Sequence, residues 1–179
     1  MATSGKVAGT GALDPISRAL GRDAGELLGP EVARGWLALL TAYGRLTRAL
    51  SGELMDASGM SLADFDVLAQ LAQAEEHRLR MSDLADAVLI SKSGLTRRID
   101  RLAVNGWVLR QRCNTDGRSY WATLTPGGLK AFRSVAPRHL AAVAERFGGA
   151  IPAADMERLT RDLLKIAAKN ADRTRDEAR

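Results

Sequence analysis

The run SKSGLTRRIDRLAVNG, residues 91–106, constrains this chain more than any other stretch. Ser91 is an N-cap residue, its hydroxyl placed to accept from the free amides of a first helical turn. Leu95, Ile99 and Leu102 then recur at helical spacing, and Asn105-Gly106 is the chemistry of a helix C-terminus. Beyond Gly106 the period changes. Trp107–Arg112 and Tyr120–Leu124 read as strands, and Asn114-Thr115-Asp116-Gly117 between them is turn chemistry, so the pair is expected to form a β-hairpin. Thr125 caps a new helix with Pro126 at its first position. A helix closed at both ends, a tight hairpin and a fresh helix start leave few topologies open.

The flanks narrow the choice further. Trp36, Leu39, Leu40, Tyr43, Leu46, Leu50 and Leu54 mark a long amphipathic helix from Pro30 to about Asp56, broken by Ser58-Gly59. Ser61 caps a second helix, Asp64 completes a capping box, and Leu62, Phe65, Leu68 and Leu71 form the buried stripe. Glu75 to Arg80 reads as a polar connection. Ser82 is expected to cap a short helix, SDLADAV, with Leu84, Ala85 and Val88 inward, and Leu89-Ile90 to form a turn with an apolar plug. After Pro126 a helix runs to about Phe147, with a kink expected at Pro137 and a stop at Gly148-Gly149. Met156, Leu159, Leu163, Ile166 and Ala167 mark a last helix from near Pro152. Residues 1–29 read as a tail with a short helix at 14–21 opened by Asp14-Pro15. Two helices joined by a turn and followed by a hairpin form the winged helix-turn-helix layout, so the fold class is mainly α with a small β-hairpin wing.

Charge sharpens the reading. The chain carries +5 overall. Between Arg78 and Arg118 nine basic residues (Arg78, Arg80, Lys92, Arg97, Arg98, Arg101, Arg110, Arg112, Arg118) face four acids (Asp83, Asp86, Asp100, Asp116), an excess equal to that of the whole chain. Such a concentration suits a polyanion, nucleic acid first; a solvated basic face is the other reading. The chemistry of catalysis is missing. One cysteine excludes an internal disulfide, no Cys/His spacing suggests zinc, and His77 and His139 are isolated. No Ser/His/Asp set or phosphate loop appears, so no catalytic residue, metal or cofactor is expected. No apolar run reaches the length of a membrane span and no secretory signal opens the chain, so a cytoplasmic protein without a membrane partner is expected.

With Leu95, Ile99 and Leu102 inward, the opposite face of that helix carries Ser93, Thr96, Arg97, Asp100 and Arg101, flanked by Lys92 and Arg98. Small hydroxyls permit close approach to a major groove, and arginine pairs bidentately with guanine. The helix N-terminus favours a phosphate. Ser91, Lys92, Ser93, Thr96 and Arg97 occupy the leading turns, which reach deepest in this docking mode.

The stretch from Leu84 to Gly128 resembles the multiple antibiotic resistance regulator (MarR) family of bacterial transcription factors. The matching pieces are DLA (83–85), SGLTRRIDRLAVNGWV (93–108), DGRS (116–119) and LTPGG (124–128). The resemblance implies a DNA-binding regulator, a repressor of a neighbouring gene. It makes the hairpin a wing whose Arg118 enters the minor groove of double-stranded DNA, braced by Asp116 and accompanied by Ser119, while Arg110 and Arg112 touch backbone phosphates. Gly117 departs from the pattern, which often has a second basic residue there. RQRCNTDGRSYW, residues 110–121, is thus a charged turn aimed at DNA, with Cys113 a small residue at its root; redox sensing is the other reading of that thiol. The resemblance further implies a homodimer, matching a pseudo-palindromic operator, built from dimerisation helices at 30–57 and 126–172 around a DNA-binding lobe at 58–125. A monomer with those helices folded onto its own lobe is the alternative. A small aromatic or anionic effector is implied too, lined by Trp36, Leu40, Tyr43, Phe65 and Leu68, residues that fit a plain core stripe equally well. A second functional class stays open: a winged helix serving as a protein-interaction adaptor with an incidental basic face.

Overall fold

The computed structural model describes residues 24–112 and 119–171. The expected helix at 14–21 and the wing residues Cys113, Asp116, Gly117 and Arg118 lie outside them. The chain divides into two compact units, 1–49 and 50–179, and the division falls inside one long helix.

In the first unit a short helix, α1 (Ala24–Leu28), occupies part of what reads in sequence as tail. Gly29, at a φ of 78°, turns the chain, and Pro30 opens α2 (Pro30–Ser58). Its exposed apolar residues include Val32, Trp36, Leu39, Leu40 and Tyr43, while Ala33 and Leu37 are buried.

The second unit holds the main core. The end of α2 leads into α3 (Leu62–Gln73), where Ser61 accepts from the Asp64 amide at 3.1 Å as the capping box requires. The expected stripe gains a member, Val67, which is fully buried beside Phe65, Leu68 and Leu71 because α3 meets both the sheet and the helix that starts at Pro126. Glu75 to Arg80 is more than a connection. After a 3-10 turn, Arg78–Arg80 forms a strand, β1, that pairs antiparallel with the strand at Tyr120–Leu124. Leu79 packs on the core while Arg78 and Arg80 lie over the Trp121 ring, 5.0 and 5.4 Å from its centroid. The wing therefore belongs to a three-stranded sheet, β1-β3-β2, with β2 at Val108–Arg112 and β3 at Tyr120–Leu124.

Between β1 and β2 lie α4 (Met81–Ala87) and α5 (Lys92–Val104). Helix α4 starts two residues before the position expected from a cap at Ser82: Ser82 bonds Asp83 rather than capping, and Arg80 stands at the cap without a side-chain bond. Leu89 does not plug the turn either. It sits at a φ of 54° and is 91% exposed, whereas Ile90 packs on the core. Leu95, Ile99 and Leu102 are fully buried, as their spacing requires.

Helix α6 (Pro126–Arg146) keeps Pro137 within one continuous helical span. Its start is tied to the end of α5. The Thr125 hydroxyl accepts from the Gly128 amide at 2.9 Å and donates to the Gly106 carbonyl at 2.7 Å, and the Thr125 amide donates to the Trp107 carbonyl at 3.0 Å. Gly128 packs so tightly there that a Cβ would overlap the Trp107 carbonyl. A 3-10 turn at Gly148–Ala150 precedes α7 (Ala153–Ala171), which buries no residue and exposes Leu163, Leu164 and Ile166.

Candidate nucleic-acid interface

Helix α5 is the natural centre of the basic region. Ser91 accepts from the Gly94 amide at 3.1 Å and stands 3.3 Å from the Ser93 hydroxyl, which fixes the first turn. Thr96 donates back to the Lys92 carbonyl at 3.0 Å, so its hydroxyl hugs its own helix and keeps accepting capacity for an outside donor. Ser91, Lys92, Ser93 and Arg97 are exposed and Thr96 half-buried. Lys92 and Arg97 have no ion-pair partner among the described residues.

The other two arginines of the helix share one acid partner. Arg98 Nη1 donates to Asp64 Oδ1 at 2.9 Å and Arg101 Nη2 donates to the same oxygen at 2.6 Å. Ser61 donates to Asp64 Oδ2 at 2.7 Å. Asp64 is 7% exposed. Burial alone would raise its carboxyl, but the hydrogen bonds from Ser61, Arg101 and Arg98 outweigh it and hold the group below the ordinary 3.8. Arg98 and Arg101, expected to face DNA, thus reach back to the start of α3. Periodicity places a residue on a face but says nothing of a partner 34 or 37 positions away. The available signal is the pair's spacing of three, which sets both guanidinia on one edge.

On β2, Arg110 stacks over the Tyr120 ring at 4.2 Å and lies 3.6 Å from Asp100 of α5, so the wing strand and the helix share a charge pair. Arg112 ends β2 and Ser119 precedes β3, and both are engaged in interactions of their own.

The residues expected to line an effector site fall into two groups. Trp36, Leu40 and Tyr43 are exposed on α2. Leu68 is fully buried in the core of the second unit, and Phe65 is buried against Phe132 at 5.1 Å and His139 at 4.3 Å. Within the second unit a cavity of about 150 Å³ is lined instead by Glu53, Leu54, Ala57, Ser134, Val135, Arg138 and His139. Burial lowers the His139 imidazole from its ordinary 6.5, with Asp66 and Glu53 pulling the other way. Arg146 Nε donates to Glu53 at 2.7 Å. Among the described residues no group of three or more His, Cys, Asp or Glu is arranged to hold a metal, and no helix is long and apolar enough to cross a membrane.

A capped helix with one buried and one polar face, a preceding short helix and a sheet bearing the wing define a winged helix-turn-helix protein. Residues 58–119 match the sequence profile of the MarR family. The fold is similar to AbsC, a MarR family transcriptional regulator from Streptomyces coelicolor, with a TM-score of 0.73 and 34% identity over 78% of this chain and 93% of that one. It is similar also to Sco3205 from the same organism, a MarR family regulator solved in complex with DNA, with a TM-score of 0.74 and 31% identity over 79% and 88% of the two chains. Among curated relatives, the transcriptional regulator PecS of Dickeya dadantii is 33% identical over 82 residues, 45% of this chain and 49% of PecS. The transcriptional repressor MprA of Escherichia coli is 31% identical over 85 residues, 48% of each. The chain thus matches about half the length of PecS and of MprA. The chain belongs to the MarR family of transcriptional regulators.

Proposed function

We propose that this chain represses transcription as a homodimer that binds a pseudo-palindromic operator in double-stranded DNA. The observation that carries the reading is the outward face of α5, where a capped N-terminal turn presents exposed Lys92, Ser93 and Arg97, the two cations having no ion-pair partner among the described residues. The leading turns, Ser91, Lys92, Ser93, Thr96 and Arg97, position and read the major groove. Arg110 and Arg112 approach the backbone, and Arg118 with Asp116 and Ser119 serves the minor groove. Sco3205, solved with DNA, and MprA, named a repressor, support the assignment.

Dimerisation uses the helices at 30–57 and 126–172, which flank the DNA-binding lobe at 58–125. Exposed Trp36, Leu39, Leu40 and Tyr43 on α2, and Leu163, Leu164 and Ile166 on α7, are apolar area that a second copy covers. A small anionic or aromatic effector binds near Arg138 and His139 in the cavity of the second unit and shifts the dimer between binding and non-binding forms.

The test is selection of genomic fragments by the purified protein at two salt concentrations, with sequencing of what is retained. A pseudo-palindrome with half-sites about one helical turn apart is expected. Only sequence-blind retention that vanishes with salt would refute an operator and favour the adaptor function.

A further inference from the structure

We propose that Asp64 is a positioning residue that withholds Arg98 and Arg101 from DNA phosphates, so that α5 binds through its leading turns rather than along its whole basic edge. The proposal rests on the DNA-binding reading above. Both guanidinia converge on one carboxylate oxygen, at 2.9 and 2.6 Å, while Ser61 holds the other oxygen at 2.7 Å and receives Arg98 Nη1 at 3.3 Å. The acceptor is buried, so little water competes for it. Pulling either arginine away would leave a buried carboxylate short of its partners, which is costly. The side chain of Arg98 is 23% exposed and that of Arg101 55%, so Arg101 has the shorter way to a phosphate once released.

The helix therefore sorts its cations. Lys92 and Arg97 point outward without ion-pair partners among the described residues; Arg98 and Arg101 are held at the edge facing α3. Sequence-blind affinity grows with the number of phosphates neutralised, whereas discrimination comes from base edges. Holding two arginines back lowers the first without touching the second, so the specificity of the regulator rests partly on an aspartate that touches no DNA.

The test measures binding of the full chain to a fluorescein-labelled duplex of arbitrary sequence by anisotropy, from about 50 to about 200 mM salt. In Asp64→Asn the slope of log K against log salt is expected to steepen by about 0.9 for each arginine that reaches a phosphate, with roughly tenfold tighter sequence-blind binding at the lowest salt. Ser61→Ala weakens the cap but leaves the carboxylate and both arginines, so it should lower the melting temperature and leave the slope unchanged. Arg101→Gln in the otherwise native chain should also leave the slope unchanged, because that arginine is already committed. An unaltered slope in folded Asp64→Asn, or a slope shallower by about 0.9 in Arg101→Gln, overturns the proposal. If Asp64→Asn does not fold, Arg101→Gln decides alone. A native chain with no affinity for any duplex overturns the DNA-binding reading and this proposal with it; native binding with the wrong variant slopes overturns this proposal alone.

Discussion

Replacing Thr125 with valine keeps the shape of the side chain and removes its hydroxyl. That hydroxyl accepts from the Gly128 amide at 2.9 Å and donates to the Gly106 carbonyl at 2.7 Å, with the Trp107 carbonyl a second, longer acceptor at 3.2 Å. The first is the N-cap of α6, and losing a cap costs about 1 kcal/mol. Gly128 is buried, so no water replaces the lost acceptor and the cost moves toward the upper end of that range, near ~2 kcal/mol. The second bond contributes about 0.5–1 kcal/mol, since Gly106 is exposed and its carbonyl regains water. The total is about 2.5–3 kcal/mol, a sizeable share of the roughly 5–15 kcal/mol typical of a folded domain. With a urea slope of about 2 kcal/mol per molar, the unfolding midpoint should fall by about 1.2–1.5 M. The assay is urea unfolding monitored by circular dichroism, with native chain, Thr125→Val and Thr125→Ser at one protomer concentration, because association shifts apparent stability. Serine keeps the hydroxyl and should stay close to the native midpoint. A valine variant within about 0.5 kcal/mol of native, or serine and valine variants that unfold together, would refute the view that this hydroxyl ties α5 to α6.

The same geometry sets three further outcomes. Arg97→Ala should cost about 1–3 kcal/mol of operator affinity while sparing stability, read by anisotropy and by urea unfolding side by side. Leu164→Glu, on the exposed stripe of α7, should shift the mass seen by light scattering from twice 19.2 kDa toward 19.2 kDa; an unchanged mass would remove α7 from the interface. His139 has a lowered pKa from burial, so the unfolded chain takes up a proton there before the folded one does. Stability should therefore be level above pH 6.5 and decline as pH falls through 6.5 toward the lowered value. His139→Phe should flatten that part of the profile, and an identical profile would assign the titration to another group.

The caps at Ser61, Ser91 and Thr125 are legible in sequence because a hydroxyl and an amide three residues on decide them locally. The buried stripe of α5 is legible for a similar reason: its period is its own. What escapes a reading of sequence depends on distant partners. Strand β1 has three residues, too few for alternation to register, and exists because β3 offers it an edge. Ser82 has the chemistry of a cap but sits inside α4, whose start comes directly after that strand. Asp64 is readable as part of a capping box, yet its larger role comes from two arginines far along the chain. Leu89 suits a core by composition and is exposed, because a left-handed residue in the turn points its side chain outward while Ile90 fills the gap. Residue type alone does not settle Phe65 and Leu68, whose apolar side chains suit a ligand pocket and a closed core equally well; packing puts them in the core.

Among the described residues the strand order β1-β3-β2 makes β1 and β2 the edge strands, and each carries a pair of arginines, Arg78 and Arg80 on one and Arg110 and Arg112 on the other. A second sheet adding to either edge would meet these long charged side chains, and charged residues on an edge blunt it against strand addition. The sheet is thereby self-limiting. Crowded copies of the chain are steered away from strand-to-strand accretion.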